Sequence, residues 1–331
     1  MERRPKILVV GSFVMDLIVS TSRVPNEGET VIDGLSFRTA SGGKGANQAV
    51  QASRLGADVT FVGQVGDDGF GREMVQAVES SGVDISHVMI DKQISSGVGS
   101  ITLEITPGQK AKNRIIVVPG ANMTIKPEDV VFLKETIKEY DMVILQLEIP
   151  MAVNEAVAAY AYEAGVPVML NSAPSAPLSI ELLEKLTYIS PNEHEAADLT
   201  GVAITKKEGI LDLETVKQAA QELLRRGVKN VIITLGSNGA AFMNDDCFIY
   251  KPCIDIVQVL DPTAAGDSFV GSFCTAVASG KSFDEALDFA NYTATLTVSR
   301  MGAQPSLPLY REVEELIAVH EKLLKGESKA L

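Results

Sequence analysis

The sequence predicts an α/β fold, with a central, mostly parallel β-sheet flanked by helices and a small β-sheet lid. Short apolar runs alternate with amphipathic, Ala- and Glu-rich segments along the 331 residues, which is typical of strand–helix–strand units on a parallel sheet. Two regions, about 13–40 and 95–118, instead contain β-branched stretches with no helix between them, which indicates a separate sheet. Since no repeat or long linker interrupts the chain, we expect one domain over residues 1–331, with the lid strands inserted from those two regions.

Individual elements follow from the same patterns. Buried strands of the central sheet are predicted at KILVVGS (6–12), VTFVGQVG (59–66), MVILQLE (142–148), VPVMLNSA (166–173), YISPNE (188–193) and NVIITLG (230–236). Helices are predicted at GANQAVQASRLG (45–56), REMVQAVESSG (72–82), AVNEAVAAYAYEAG (152–165) and TVKQAAQELLRRG (215–227). Each of these helical segments ends in glycine, as expected for a C-terminal cap.

The charge and cysteine content limit the partners and the compartment. With 29 Lys and Arg against 43 Asp and Glu, the formal charge is −14, and such a chain repels nucleic-acid backbones and anionic membranes. The apolar run Ile7–Val10 is too short for a signal peptide. Three cysteines without a CxxC spacing indicate a reducing environment. We therefore expect a cytoplasmic protein that binds neither nucleic acid nor membrane.

Familiar nucleotide-binding motifs are absent. The first strand lacks a following GxGxxG, and Gly43-Lys44 is followed by Gly45 where a P-loop has Ser or Thr. The signatures of protein kinases are absent as well.

The segment Asp261–Asp267, DPTAAGD, is the strongest chemical signal in the sequence. Small residues before a helix leave the N–H groups of residues 265–267 free to face an anion, and the helix dipole supports them. A carboxylate at the same place suits a base that takes a proton from a hydroxyl attacking a phosphate. An aspartate that only caps the helix explains the bare heptad equally well.

A second signal is Ser41–Asn47, SGGKGAN, which opens a helix. Its glycines allow the backbone to approach a ligand closely, and Lys44 and Asn47 offer donors to a polyhydroxylated molecule. The alternative is a flexible turn with a solvated lysine.

These two segments, with GSFVMD (11–16), LQLE (145–148), PNEHE (191–195), TLGSNG (234–239) and MGAQPS (301–306), carry a resemblance. Over nearly its whole length the chain resembles the ribokinase-like carbohydrate kinases, and GGKGANQA is the form typical of members that phosphorylate ribose. The resemblance implies ATP-dependent phosphorylation of the primary 5-hydroxyl of a pentose, most simply D-ribose. It also implies the fold read above and a homodimer formed through the lid.

Carried over by position, the resemblance also implies site residues. Asp267 is the expected catalytic base, and the amides of Ala265 and Gly266 form the expected anion hole. The expected sugar site comprises Val14, Asp16, Gly43, Lys44, Asn47, Glu148 and Asp267. The expected ATP site comprises Asn192, Thr234, Gly236, Ser237, Gly239, Gly266 and Asn291. Mg²⁺ is expected near Glu195 through water, and K⁺ or another monovalent cation among Asp261, Thr263, Thr297, Arg300, Gly302 and Ser306.

Two positions depart from the family pattern. Pro262 stands where the family usually has Thr, and we expect it to be tolerated because proline suits an extended entry to a turn. Val14 stands where the ribose-phosphorylating members have Asn, so a kinase of the same family for 2-deoxyribose or another sugar remains an alternative to a ribose kinase. A non-catalytic sugar or nucleotide sensor is a more remote alternative, because a sensor has no need of Asp267.

Overall fold

The computed structural model describes residues 3–105 and 112–325. Residues 106–111, which belong to the predicted lid region, and both ends of the chain lie outside the described residues. The strands in the described part are β1 (Lys6–Val10), β2 (Val14–Thr21), β3 (Gly34–Gly42), β4 (Asp58–Gly66), β5 (Asp84–Asp91), β6 (Gly97–Glu104), β7 (Lys112–Val118), β8 (Met142–Gln146), β9 (Val168–Asn171), β10 (Tyr188–Ser190), β11 (Lys206–Lys207), β12 (Ile210–Leu211), β13 (Asn230–Thr234), β14 (Ala240–Met243) and β15 (Phe248–Lys251).

The helices follow the predicted amphipathic segments and add several others. They are α1 (Lys44–Arg54), α2 (Gly69–Ser80), α3 (Leu133–Thr136), α4 (Met151–Ala164), α5 (Ile180–Leu183), α6 (Glu193–Thr200), α7 (Leu213–Arg225), α8 (Ala265–Ala278), α9 (Phe283–Val298) and α10 (Tyr310–Leu324). Helix α4 ends at Gly165, whose left-handed φ of 72° is the conformation that the sequence predicted for a glycine cap. Within the described residues, none of the helices has the length and apolar character needed to cross a membrane.

The central sheet has the strand order β15–β14–β13–β10–β9–β8–β1–β4–β5. Its strands are parallel from β13 to β5, and β14 and β15 add an antiparallel edge. All six strands predicted for this sheet belong to it, so the predicted α/β class is confirmed. The sequence did not reveal β5, β14 and β15, because β14 and β15 have only four residues each and polar residues interrupt β5.

Helices cover both faces of this sheet. Strand β1 shows the division, because Ile7 and Val9 belong to one core cluster while Leu8 and Val10 belong to the other. Alternate side chains of a strand point to opposite faces, so a strand buried on both faces is apolar throughout. Helices α1, α2, α8, α9 and α10 contribute to the first cluster, and α3 to α7 contribute to the second.

The predicted small sheet is also present, in the order β3–β2–β6–β7. Strands β2 and β6 run parallel, and the two outer pairs run antiparallel. Strand β2 continues directly from β1 of the central sheet, with only residues 11–13 between them. The lid is therefore attached to the main sheet at the segment GSF, next to the predicted sugar site.

Candidate active site

A cleft of about 250 Å³ opens where the parallel strands β9, β10 and β13 end. In open α/β sheets, ligands bind at this edge. The residues that line the cleft are Lys44, Asn171, Ala173, Ser190, Asn192, Glu195, Thr234, Pro262, Ala264, Ala265, Gly266 and Asp267. Seven of the site residues predicted from the sequence are among them, so separate sequence motifs converge on one site.

Helix α1 begins against the chain's own backbone. Its N-cap Gly43 has a φ of 96°, and a Cβ atom there would lie 2.7 Å from the Val14 nitrogen. A Cβ atom on Gly45 would lie 2.5 Å from the Ser12 nitrogen. The sequence interpretation that the glycines of this segment let the backbone approach a ligand stays a prediction, and the structure gives Gly43 and Gly45 a further role. They make room for residues 11–14, and that contact fixes the start of α1 beside the cleft.

Glu148 links the segment 11–13 to the start of α1. Its Oε2 accepts hydrogen bonds from the Ser12 hydroxyl at 2.5 Å and from the Lys44 backbone N–H at 2.9 Å. Lys44 is half-buried, and its side chain lines the cleft. Burial lowers the pKa of Lys44, but the carboxylates of Asp267, Glu148 and Glu195 outweigh it, and the pKa is raised. Lys44 is therefore a cation at neutral pH.

Helix α8 begins at the opposite wall of the cleft with an unusual turn. Its N-cap Ala264 has a left-handed φ of 60°, which is uncommon for a residue other than glycine. The Ala265 N–H donates to the Pro262 carbonyl at 3.2 Å, so the turn closes with proline in place. Among the described residues, no acceptor meets the N–H groups of Gly266 and Asp267. These two amides are the ones left to face an anion, and the Ala265 amide is already engaged.

Asp267 lies in the first turn of α8 with only 8% of its surface exposed. Its Oδ2 accepts a hydrogen bond from Asn47 Nδ2 at 2.9 Å, and its Oδ1 accepts one from Gln48 Nε2 at 3.0 Å. Burial raises the pKa of Asp267, and the Lys44 charge and the two amide bonds only partly offset this effect. The carboxylate is thus oriented by donors and has a higher affinity for protons than an exposed aspartate.

Asp16 and Val14 lie on one face of β2, against Gly99 of β6. A Cβ atom on Gly99 would lie 2.5 Å from Asp16 Oδ1 and 3.7 Å from Val14 Cγ1, so glycine at this position leaves room for the Asp16 carboxylate in its observed place. Val14 is 6% exposed. Burial raises the pKa of Asp16 to about 6, with a smaller contribution from the neighbouring Glu148.

Asn192 and Glu195 form a capping box at the start of α6. Asn192 Oδ1 accepts from the N–H groups of His194 and Glu195, while Glu195 accepts from the backbone N–H of Asn192 at 2.9 Å and from its Nδ2 at 2.8 Å. Burial raises the pKa of Glu195. The NxxE pattern is therefore a helix cap whose members also line the cleft.

The remaining predicted nucleotide residues surround a neighbouring segment. Thr234 lines the cleft, whereas Gly236, Ser237, Gly239 and Asn291 lie outside the set of described residues that line it. A Cβ atom on Gly239 would lie 2.0 Å from the Lys251 carbonyl oxygen, and Asn291 Nδ2 donates to the Pro252 carbonyl at 3.4 Å. The loop 236–239 and helix α9 thus both border residues 251–253.

The residues predicted to surround a monovalent cation are partly brought together. Asp261 accepts hydrogen bonds from Thr263 and from the Gly302 N–H, and Asp261 and Leu260 donate to the Val298 carbonyl. Burial opposes ionisation of Asp261, but the bonds from Thr263 and Gly302 prevail and its pKa is lowered.

The other side chains of this set have partners of their own. The hydroxyls of Thr297 and Ser306 donate to backbone carbonyls, and Arg300 forms an ion pair with Glu312 at 2.8 Å. These residues can therefore offer a cation their backbone oxygens.

Sequence reasoning missed several polar residues of the site. Ser12 anchors Glu148, Gln48 contacts Asp267, and Asn171 and Ser190 line the cleft. A signal for two of them was present, since the buried apolar strands β9 and β10 end in Asn171 and Ser190 at their carboxyl ends.

Similarity to known proteins identifies the family of this chain. Residues 4–309 match the model of the pfkB family of carbohydrate kinases. The chain is 38% identical over 312 residues to a ribokinase of Bacillus subtilis, covering 94% of this chain and 99% of the relative. It is 32% identical over 316 residues to a deoxyribokinase of Salmonella typhi, covering 95% and 99%. The structure of Arabidopsis thaliana ribokinase complexed with ribose and ATP superimposes with a TM-score of 0.86 at 35% identity, covering 95% of this chain and 99% of that one. This chain therefore belongs to the pfkB family of carbohydrate kinases.

Proposed function

We propose that this kinase transfers the γ-phosphoryl group of ATP to the 5-hydroxyl of D-ribose. The observation that carries the proposal is the buried carboxylate of Asp267 at the first turn of α8. It lies in one cleft with the Lys44 cation and with backbone N–H groups that no described residue engages. A base beside an anion site is the arrangement that phosphoryl transfer to a hydroxyl requires.

Asp267 is the group that accepts the proton of the attacking hydroxyl. Asn47 and Gln48 each donate to one of its oxygens and leave the remaining lone pairs for the hydroxyl. The N–H groups of Gly266 and Asp267 and the ammonium of Lys44 then face the charge that develops on the transferred group. The raised pKa of Asp267 makes it a better proton acceptor than a solvated aspartate.

Three further carboxylates, two for the sugar and one for Mg²⁺, complete the proposed site. Asp16, at the start of the lid, is proposed to accept hydrogen bonds from sugar hydroxyls, and Glu148 completes the sugar site beside Lys44 and Gly43. Glu195, held by Asn192, is proposed to bind Mg²⁺ through water, and the bound ion would neutralise phosphate charge. The loop 236–239 and Asn291 are proposed to hold the nucleoside end of ATP.

The affinity for ribose is expected to fall as the pH drops through about 6, the pKa of Asp16. Sugar hydroxyls donate to the ionised carboxylate, so sugar binds the ionised form and protonation removes the acceptor. The association constant should decrease about tenfold per pH unit below this pKa and level off above it. Calorimetric titration in the Asp267→Asn background measures this without interference from the base. Asp16→Asn should bind weakly with a flat profile, and a flat profile in the parent protein would contradict the assignment.

A monovalent cation such as K⁺ is expected to increase turnover without contacting substrate. Backbone oxygens of residues 261–263 and 297–306 would hold it, and these segments are already tied by the Asp261–Gly302 hydrogen bond at 2.9 Å. A cation there would stiffen the turn that presents the α8 amides. Turnover should be clearly higher in K⁺ than in tetramethylammonium at fixed Mg²⁺ and ionic strength. Equal turnover in the two salts would contradict a role for the cation.

A homodimer through the lid is proposed from the apolar surface of the small sheet. Its outer strands β3 and β7 are exposed along most of their length, with Phe37 66% and Ile116 69% exposed. Apolar side chains clustered on an exposed sheet commonly mark an interface.

The function is tested by measuring ADP release with a panel of pentoses and related sugars. Ribose-dependent ADP release supports the proposal. A preference for 2-deoxyribose supports the alternative that the 32% identity to a deoxyribokinase keeps open. Binding of sugar without any turnover would indicate a sensor.

A further inference from the structure

Gln48 is a buried amide whose every polar atom has a partner. It is 0% exposed. Its Nε2 donates to Asp267 Oδ1 at 3.0 Å and to Asn171 Oδ1 at 3.3 Å, and its Oε1 accepts from Gln146 Nε2 at 2.8 Å. Residues from helix α1, strands β8 and β9 and helix α8 thus meet at one side chain. In the proposed reaction, Gln48 has no role beyond its hydrogen bond to Asp267.

The direction of these hydrogen bonds is fixed by the chain. Asn171 Nδ2 donates to the Ser190 carbonyl at 2.9 Å, so Asn171 presents its oxygen to Gln48. Gln146 presents its Nε2 to the Gln48 oxygen. Because the Asn171 oxygen and the Asp267 carboxylate both accept hydrogen bonds, the Gln48 nitrogen faces them and the Gln48 oxygen faces Gln146. Gln146 follows this arrangement, since its own amide oxygen has no partner among the described residues. A protonated carboxyl would gain little from this donor, whereas a carboxylate gains a charge-assisted hydrogen bond.

The position of Gln48 is also fixed by packing. Helices α1 and α8 approach closely at Gly271, where a Cβ atom would lie 2.9 Å from the Gln48 carbonyl oxygen. The strand residue Gln146 packs from the other side and is itself 0% exposed. A side chain enclosed in this way keeps one rotamer, so its amide acts as a rigid donor.

We propose that Gln48 is a positioning residue for the reaction: its amide, oriented by Gln146 and Asn171, holds the Asp267 carboxylate ionised and aimed at the sugar hydroxyl. The inference rests on the proposed function for its catalytic consequence, but the contact itself does not. Asn47 donates to the other carboxylate oxygen and also lies in the sugar site, whereas Gln48 is set behind Asp267 and reaches the substrate only through it.

Other charges also act on Asp267 and must be kept constant in a test. Lys44 of α1 favours ionisation, and Glu148, after β8, opposes it. Glu195 of α6 also interacts with Asp267. Substitution of Gln48 by an uncharged residue leaves all three charges in place.

The test is Gln48→Met, which keeps the length of the side chain and removes the donor. We expect kcat to fall about 10- to 100-fold, as for a base displaced from its productive geometry, with KM for ribose and ATP changed by no more than about threefold. Loss of a donor to a carboxylate raises its pKa, so the acid limb of the kcat profile should move to higher pH by about one unit. A carboxyl ¹³C titration of Asp267, identified by comparison with Asp267→Asn, should show the same upward shift.

Gln51→Met is the matched control. Gln51 lies one turn further along α1, is equally buried and donates to the Pro308 carbonyl at 3.0 Å, away from Asp267. It should lose stability as Gln48→Met does, with the acid limb and the ¹³C midpoint unchanged. Should Gln48→Met fail to fold, Gln146→Met removes the bond that orients Gln48, and a smaller upward shift is expected.

The outcomes separate the inference from the proposed function. An Asp267 midpoint that is the same in wild type and in the Gln48 or Gln146 variant overturns the inference, whatever the activity. A wild-type protein that phosphorylates no sugar overturns the proposed function, while the ¹³C titration still decides whether Gln48 controls the ionisation of Asp267.

Discussion

Asp267→Asn is expected to lower turnover by roughly 10²- to 10⁴-fold, the range for loss of a general base. The carboxamide cannot take a proton, and its NH₂ group would face one of the two donors, Asn47 or Gln48, that the carboxylate now satisfies. ATP binding should change little, because the substitution keeps the backbone amides of α8 and the other predicted nucleotide contacts lie on other elements. Single-turnover rates and a separate ATP titration measure the two effects.

The control for this substitution is Asp284→Asn. Asp284 also lies in the first turn of a helix, α9, but it pairs with Lys251 on the surface. The substitution Asp284→Asn removes the same charge from a comparable position. The turnover of this variant should match that of the wild type. Wild-type turnover in Asp267→Asn itself would mean that another group serves as the base.

Val14→Asn is expected to shift the sugar preference toward ribose by about one to two orders of magnitude. A ribose hydroxyl facing Val14 would have no partner, at a cost of roughly 1–3 kcal/mol, and each ~1.4 kcal/mol is tenfold in specificity. The wild type should therefore phosphorylate 2-deoxyribose at a rate comparable to that of ribose, and a clearly higher rate with 2-deoxyribose would favour the alternative substrate. The structure places Val14 beside Asp16 on one face of β2, where both approach Gly99.

Values of kcat/KM for ribose and 2-deoxyribose, on wild type and variant, decide this. Val19→Asn is the control, because Val19 lies on the same strand but is 40% exposed and on the other face. It should leave the ratio unchanged. A wild type that strongly prefers ribose, with no change in Val14→Asn, would show that other groups serve the hydroxyl.

The central sheet was predictable because its strands are buried on both faces. Segments such as KILVV have to be apolar at every position, which leaves a strong signal in the sequence. Strand β5, with the sequence DISHVMID, is an edge strand with polar positions throughout. Strand β5 forms because it pairs with β4, and its own residues show no regular apolar pattern. The sequence of this segment alone therefore does not predict a strand.

The site was predictable where a motif was continuous and obscure where it was assembled from distant parts. The sequence of residues 261–267 predicts both a turn and a catalytic base. Gln48, Gln146 and Asn171 are separated by up to 123 positions and meet only after the sheet forms. Each alone is an unremarkable amide. The left-handed backbone of Ala264 was also unpredictable, because alanine has no intrinsic preference for it.

Ala264 has a thermodynamic consequence that extends beyond the turn itself. An alanine in the left-handed region raises the free energy of the folded state by about 1–3 kcal/mol. This destabilisation is present in the folded protein whether or not a phosphate is bound. In return, the α8 amides are ordered in advance, so a bound anion need not lose affinity to the ordering of a loop, which costs about 1–2 kcal/mol per residue. The turn therefore lowers the stability of the folded protein and fixes the α8 amides in position for an anion. For a chain with a net charge of −14, whose long-range field repels anions, such rigid local dipoles are what makes tight binding of a phosphate possible.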